Sequence, residues 1–293
     1  MLSQLAQPIL SGILMGGVYG LIALGLSLVF GVMRVSNFAH GDLLMIAMYI
    51  AVALWDGFGI SPYVSIFVVA IIMFFAGVFI QKVAITPILK SEKERSPLRL
   101  ILFTVGLSIF LQNLVLMIKG GAPVTATMPI STKTFIVGDL IVSIPRLLAF
   151  ALSMLITIVL WFFISKTDIG RAMRAVSQDR EVALLMGINE YKTYAIAFGI
   201  GAMMLGLAAS MISTFLYAFP TMGSSYTLRS YVIVALGGIG SIPGAMIGGL
   251  IVGIVESVSA QFMPASYSEV VVFIIFILVL AIKPSGMFGK ERK

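Results

Sequence analysis

Cysteine is absent from this sequence, and histidine occurs once, at position 40. No disulfide framework and no Cys/His zinc cluster can therefore be built, and one histidine cannot supply an HExxH site. No P-loop is present either. The nearest run, residues 286–291, lacks both the spacing and the Ser/Thr of GxxxxGK[ST]. Ser, Lys and Glu form no nucleophile motif, so an enzymatic site is not expected. Charge is scarce as well, at 11% of 293 residues, where soluble domains carry about 25%. That shortage excludes an ordinary soluble fold.

In its place stand long apolar runs, with 60% of the chain hydrophobic. They predict an all-α polytopic membrane protein of about eight to nine transmembrane helices in one continuous domain, 1–293. Expected spans are Pro8–Phe30, Asp42–Trp55, Pro62–Ala84, Leu98–Ile118, Arg146–Ile164 and Thr193–Phe219. A glycine-rich pair around Tyr231–Gly238 and Gly244–Ala260 follows, then a last span near Ser268–Ile282. Pro62, Pro87, Pro97, Pro145, Pro264 and Pro284 are read as span edges, where proline costs a helix little. The N-terminus has no Lys or Arg before its apolar run, so it reads as a retained span and not a secretory signal.

Orientation follows from Lys and Arg. Segment 82–99 holds Lys82, Lys90, Lys93, Arg95 and Arg99, segment 165–192 holds five more, and the tail 283–293 holds Lys283, Lys290, Arg292 and Lys293. These are fourteen of the nineteen basic residues, and the positive-inside rule places all three segments in the cytoplasm. The same rule accounts for the +7 formal charge without a nucleic-acid partner. Loop 119–145, rich in Pro, Thr and Gly and without helical periodicity, reads as external, and span parity puts the N-terminus on that side.

Two segments read as broken membrane helices. Gly31–Tyr49 holds Arg34, Asn37, His40 and Asp42 between apolar runs. The second, residues 234–257, holds Gly237, Gly238, Gly240, Pro243 and Gly244. Non-helical backbone at membrane depth is tolerated only inside protein or along a cavity, and paired interruptions point to a transport pathway. Asn37, His40, Asp42, Gly237, Gly238, Gly240 and Gly244 are therefore candidates for the translocation path or gate. Each has a plainer reading beside it: Asp42 caps the following helix, His40 is a satisfied helix-turn residue, and Arg34 snorkels to the boundary. Asp42, Glu256 and Glu269 are the carboxylates an ion-coupled carrier could use. The glycine stripes Gly12/Gly16/Gly20 and Gly240/Gly244/Gly248 read as close helix packing, within one subunit or between two.

The segment Ser165–Lys192 differs from everything around it. It carries five basic and four acidic residues. At roughly 2.5–3.5 kcal/mol per charge at a helix centre, burial in lipid is out of reach by on the order of 20 kcal/mol. Apolar residues still recur at helical spacing (Met173, Val176, Leu184, Leu185), and Glu181-x-Ala183-x-x-x-Gly187 is preceded by Asp179. Such a helix can offer Leu184 and Leu185 to a groove on another protein, with charges at the rim. Gly187 stands where a left-handed helix cap suits glycine.

Five blocks together resemble one family. They are Ala23-Leu-Gly-Leu-Ser-Leu-Val-Phe-Gly31, Arg34-Val-Ser-Asn-Phe-Ala-His-Gly41-Asp42, Ile169-Gly-Arg-Ala-Met-Arg-Ala175, Leu185-Met-Gly187-Ile-Asn189 and Ala235-Leu-Gly-Gly-Ile-Gly-Ser-Ile-Pro-Gly244. Collinear from Pro8 to Gly286, the chain resembles the permeases of branched-chain amino acid ABC importers, the shorter permease of the pair in particular. Ser36 departs from it, standing where an apolar residue is usual. The resemblance implies a second permease subunit, two cytoplasmic ABC ATPases, an external solute-binding protein and a bacterial inner (cytoplasmic) membrane. It also implies no cofactor on this chain, with ATP and Mg on the partner subunits. Gly170, Arg171, Arg174, Asp179, Glu181, Ala183, Leu184 and Gly187 become the expected ATPase-coupling residues. Two alternatives stay open at this point: an ion-coupled secondary carrier for a small solute, and a non-transporting scaffold.

Overall fold

A computed structural model describes residues 2–91, 97–283 and 285–289. Lys93, Arg95, Pro284, Lys290, Arg292 and Lys293, all used above for orientation or span edges, lie outside the described residues.

The described residues form a bundle of α-helices with one β-hairpin. Helix α1 (Leu2–Met33) leads into an irregular stretch, 34–39, and then α2 (His40–Phe58). Helix α3 (Pro62–Ile80) continues through a wide π-turn (Gln81–Ile85) into α4 (Thr86–Ser91), and α5 (Pro97–Lys119) returns. Strands β1 (Thr134–Val137) and β2 (Leu140–Ser143) precede α6 (Ile144–Lys166), the short α7 (Asp168–Gln178) and α8 (Arg180–Leu185), and α9 (Glu190–Ile212). Helices α10 (Met222–Gly237), α11 (Ile242–Phe262) and α12 (Ala265–Ile282) complete it. Among the described residues seven helices are long and apolar enough to cross a membrane. The 16-residue α10 and the 18-residue α12 accompany them.

Three expected boundaries are corrected. The third span does not end at Ala84: the helical path runs from Pro62 to Ser91. Pro87 has no N–H to give and crowds the carbonyl four residues back, and the π-turn just before it absorbs that misfit. The span read as Thr193–Phe219 stops at Ile212, and α10 begins at Met222, well before Tyr231. Between them the backbone finds partners far along the chain. Ala126 N donates to Ser213 O at 2.9 Å, and Val124 and Ala218 exchange both backbone bonds at 2.8–2.9 Å. Hydropathy alone does not register such pairs.

The most buried helix is α9, with Tyr194 and Phe198 among the largest wholly enclosed side chains. It packs against α1, α2, α3, α6 and α7. The outer faces of α5 and α6, with Leu102, Ile109, Phe110, Ile158 and Val159, are exposed, as lipid-facing or subunit-facing surface must be. Both glycine stripes are used inside the chain. A Cβ on Gly12 would sit 2.6 Å from the Ile254 Cα, and one on Gly16 would sit 2.7 Å from the Leu250 Cα, so α1 and α11 meet backbone to backbone.

The bundle has two distinct ends. At one, Gln7 near the start of α1 exchanges two 2.9 Å hydrogen bonds with the backbone of Ile141 in β2. The hairpin, the 119–133 segment and residues 213–221 share that end. The hairpin itself turns on Gly138 at φ +60°, a position two-residue hairpin loops favour for glycine. At the other end lie α7 and α8.

Candidate functional site

Helix α7 starts where α6 stops, because Thr167 caps it: its Oγ1 accepts from Gly170 N at 3.1 Å. Gly170 is pressed onto α6, where a Cβ would lie 2.6 Å from the Ile164 carbonyl carbon. Met173 and Val176 turn inward and are buried. Arg174 donates to the carbonyls of Ile164 and Ser165, closing the last turn of α6. Arg171 pairs with Asp168 in the open, a contact of little energetic weight.

Asp179 breaks the helix and caps the next one, its Oδ1 accepting from Val182 N at 3.1 Å. In α8 only Ala183 is buried. Val182, Leu184, Leu185 and Met186 are exposed, Leu185 at 86% and Met186 at 77%. Glu181 stands at the rim in the first turn. Gly187 has φ +80° with open space around it, so the backbone conformation and not crowding calls for glycine. Its N–H donates to Leu184 O, and Ile188 N donates to Ala183 O, as in a Schellman-type cap. The result is an ordered finger with an apolar strip that stays exposed among the described residues.

The second group of residues lies deeper. Stretch 34–39 folds back from the end of α1 towards its middle, since His40 Nε2 lies 2.9 Å from Ile22 O. Arg34 begins this return with a left-handed φ of +56° and donates to Ser177 O at the end of α7. Ser177 in turn donates to Gly31 O at 2.8 Å. Asn37 Oδ1 accepts from Ala39 N, which turns the chain into α2. Gly41 N donates to Thr227 Oγ1 at 2.8 Å, and Thr227 reaches Phe38 O at 3.3 Å.

Asp42, in the first turn of α2, is completely buried. Its Oδ1 accepts from Gln112 on α5, while its Oδ2 has no hydrogen-bond partner among the described residues. The residue before α2, Ala39, has no side-chain cap. Gly223 at the start of α10 packs directly on Asp42.

The third group sits at the α7 end. Gly237 packs against Gly244, and Gly238 and Gly240 have φ of +96° and +77°. Ser241 caps α11 by accepting from Gly244 N at 3.1 Å. The 285–289 segment lies across this turn, with Met287 N and Phe288 N donating to Leu236 O and Gly237 O. Gly31 meets Gly240 here, so the two broken segments touch. A cavity of about 70 Å³ between them is lined by Ser27, Gly31, Met173, Arg174, Ser177 and Gly240. Asn37 turns the chain into α2, His40 meets α1, and Asp42 meets α5 and α10, and none of the three lines this cavity.

Local sequence does not announce several of the residues involved. Thr227 and Gln112 are polar side chains inside apolar runs, and that oddity was the available signal. Arg229 has the same signature. It pairs with Glu256 at 3.0 Å and Glu269 at 3.2 Å, and lies 4.8 Å from the Tyr19 ring. Two of the carboxylates that an ion-coupled carrier could use are thus in ion pairs.

Among the described residues, seven helices long and apolar enough to cross a membrane, with an ordered exposed finger at one end of the bundle, define a multi-pass membrane protein. The family described as branched-chain amino acid transport system permease component matches residues 8–280. The chain is 35% identical over 300 residues to the high-affinity branched-chain amino acid transport system permease protein LivH of Escherichia coli, covering 98% of this chain and 96% of LivH. BraD of Pseudomonas aeruginosa, described in the same words, is 34% identical with the same coverage. The ribose import permease RbsC of Bacillus subtilis is 30% identical over 129 residues, 42% of this chain and 40% of RbsC. No solved structure matches. The chain belongs to the branched-chain amino acid transport permease family, and is a multi-pass protein of the inner (cytoplasmic) membrane and a transporter component, not an enzyme.

Proposed function

We propose that this chain is the membrane-spanning permease subunit of an ATP-driven importer for branched-chain or related amino acids, and that α7–α8 dock into a cytoplasmic ABC ATPase. The observation that carries this reading is the exposed strip Val182, Leu184, Leu185 and Met186 on a helix held rigidly by two caps. An amphipathic helix of this kind suits an apolar groove. Gly170, Arg171, Arg174, Asp179, Glu181, Ala183, Leu184 and Gly187 build or flank the finger.

Segments 165–192 and 283–293 then face the cytoplasm, and 119–145 faces outward to a solute-binding protein. A second permease subunit completes the path, and two ATPases carry ATP and Mg, with no cofactor on this chain. Asn37, His40, Asp42 and the Gly237–Gly244 turn are the proposed path and gate, because both regions interrupt membrane helices where they meet α1. The single-domain organisation of 1–293 follows from the same reading.

The test is Leu185→Asp in the co-expressed importer. Membrane insertion should persist while ATPase co-purification and uptake fall together. Retained ATPase binding with undiminished uptake overturns the docking assignment.

A further inference from the structure

The start of α8 is joined to the root of α9 by a forked ion pair, beside the short 186–189 connection. Arg180 opens α8 and Glu190 opens α9. Arg180 Nε and Nη2 reach both carboxylate oxygens of Glu190, the Nη2 bond at 2.6 Å. Glu190 is 3% exposed, so the guanidinium extends from an exposed element to the enclosed root of another. These hydrogen bonds hold Arg180 above its ordinary pKa. A forked Arg–carboxylate pair fixes orientation as well as distance. Beyond the capped 186–189 connection, α8 contributes one buried side chain, Ala183.

What Arg180 holds is the central helix. With 23 residues, α9 spans about 34 Å at 1.5 Å per residue. Asn189 caps its start, accepting from Lys192 N at 3.0 Å, and Lys90 sits 4.9 Å from the Tyr191 ring. Midway, Gly201 lies against Gly25, beside the His40 ring. At the far end Ser213 O accepts from both Ala126 N at 2.9 Å and Thr125 Oγ1 at 2.8 Å. A capped, closely packed helix does not shorten, so movement of its root reaches its tip.

We propose that the Arg180–Glu190 pair is the tie through which the finger drives α9, and that α9 carries the displacement to the 119–133 segment at the opposite end. Arg180 is then a positioning residue for transport. The inference rests on the motor reading above. It supplies a physical element with contacts at both ends, which a coupling route requires.

Replacing both partners by apolar residues removes both charges of the pair and commonly preserves stability. The decisive variant is therefore Arg180→Met with Glu190→Leu, compared with the charge-swapped Arg180→Glu, Glu190→Arg. Both are assembled with the ATPases and binding protein in proteoliposomes. For the apolar pair we expect normal assembly and basal ATP hydrolysis, uptake reduced by about tenfold or more, and loss of the stimulation of ATP hydrolysis by loaded binding protein. The swapped pair should recover part of both. Wild-type uptake and stimulation in the apolar pair overturn the tie while leaving the motor reading intact. Uptake by the wild-type chain with no ATPase present overturns the motor reading and the tie with it.

Discussion

Gln112 on α5 donates from Nε2 to the buried Oδ1 of Asp42 on α2, at 2.9 Å and across 70 residues of sequence. Gln112 also reaches Ser108 at 3.2 Å on its own helix. This bond joins the broken segment to a helix whose outer face is otherwise open. Removing the amide leaves a buried carboxylate oxygen without its donor, which costs about 1–3 kcal/mol. Gln112→Leu should lower the melting temperature of the purified chain, and Asp42→Asn should restore part of the loss. A double-mutant cycle with no coupling between the two positions would show that the bond carries no weight.

The α1–α11 contact has no room for side chains. Gly16→Val puts branched bulk where even a Cβ would lie 2.7 Å from the Leu250 Cα. Overpacking of this kind costs about 1–3 kcal/mol or more. Expression and thermal stability in detergent should fall sharply, whereas Gly57→Val, in open space, should change neither by a comparable amount.

Gly187 separates backbone strain from crowding. Its surroundings are open and its φ is +80°, so Gly187→Ala should cost about 1 kcal/mol through conformation alone. Gly187→Asn should cost less, because Asn visits the left-handed region more readily. Uptake rates in the order Gly, Asn, Ala would fit this account. Equal loss in both variants would indicate a contact with a partner in its place.

Arg229 balances two carboxylates and stacks near Tyr19. Arg229→Leu leaves Glu256 without its cation, at a cost of roughly 2 kcal/mol, below the about 3–5 of fully buried pairs because this cluster is partly open. Arg229→Leu combined with Glu256→Leu should recover most of the stability. Failure of the double variant to recover would mean that packing against Tyr19, not charge balance, is what Arg229 provides.

Some of this site was open to reading from residues close together in the chain. The finger followed from nine charges in one segment, its end from Gly187, and its partner-facing side from Leu184 and Leu185. The hairpin also had a local signal, two β-rich runs around Gly138-Asp139, although 119–145 read only as a loop. The stop at Ile212 had no comparable signal, because the bonds that replace the helix come from residues 124–126.

The class of the protein and the rough places of its apolar spans were determined by sequence alone, because a bilayer demands apolar runs of about 20 residues and every such run is local. Helix caps were equally local, set by one side chain and the three residues after it. Only tertiary structure decided that Asp42 meets Gln112, that Arg180 meets Glu190 and that Arg229 serves two carboxylates. Each meeting depends on how two helices are rotated and crossed. One residue turns a helix by about 100°, and that rotation is settled by the packing of the whole bundle.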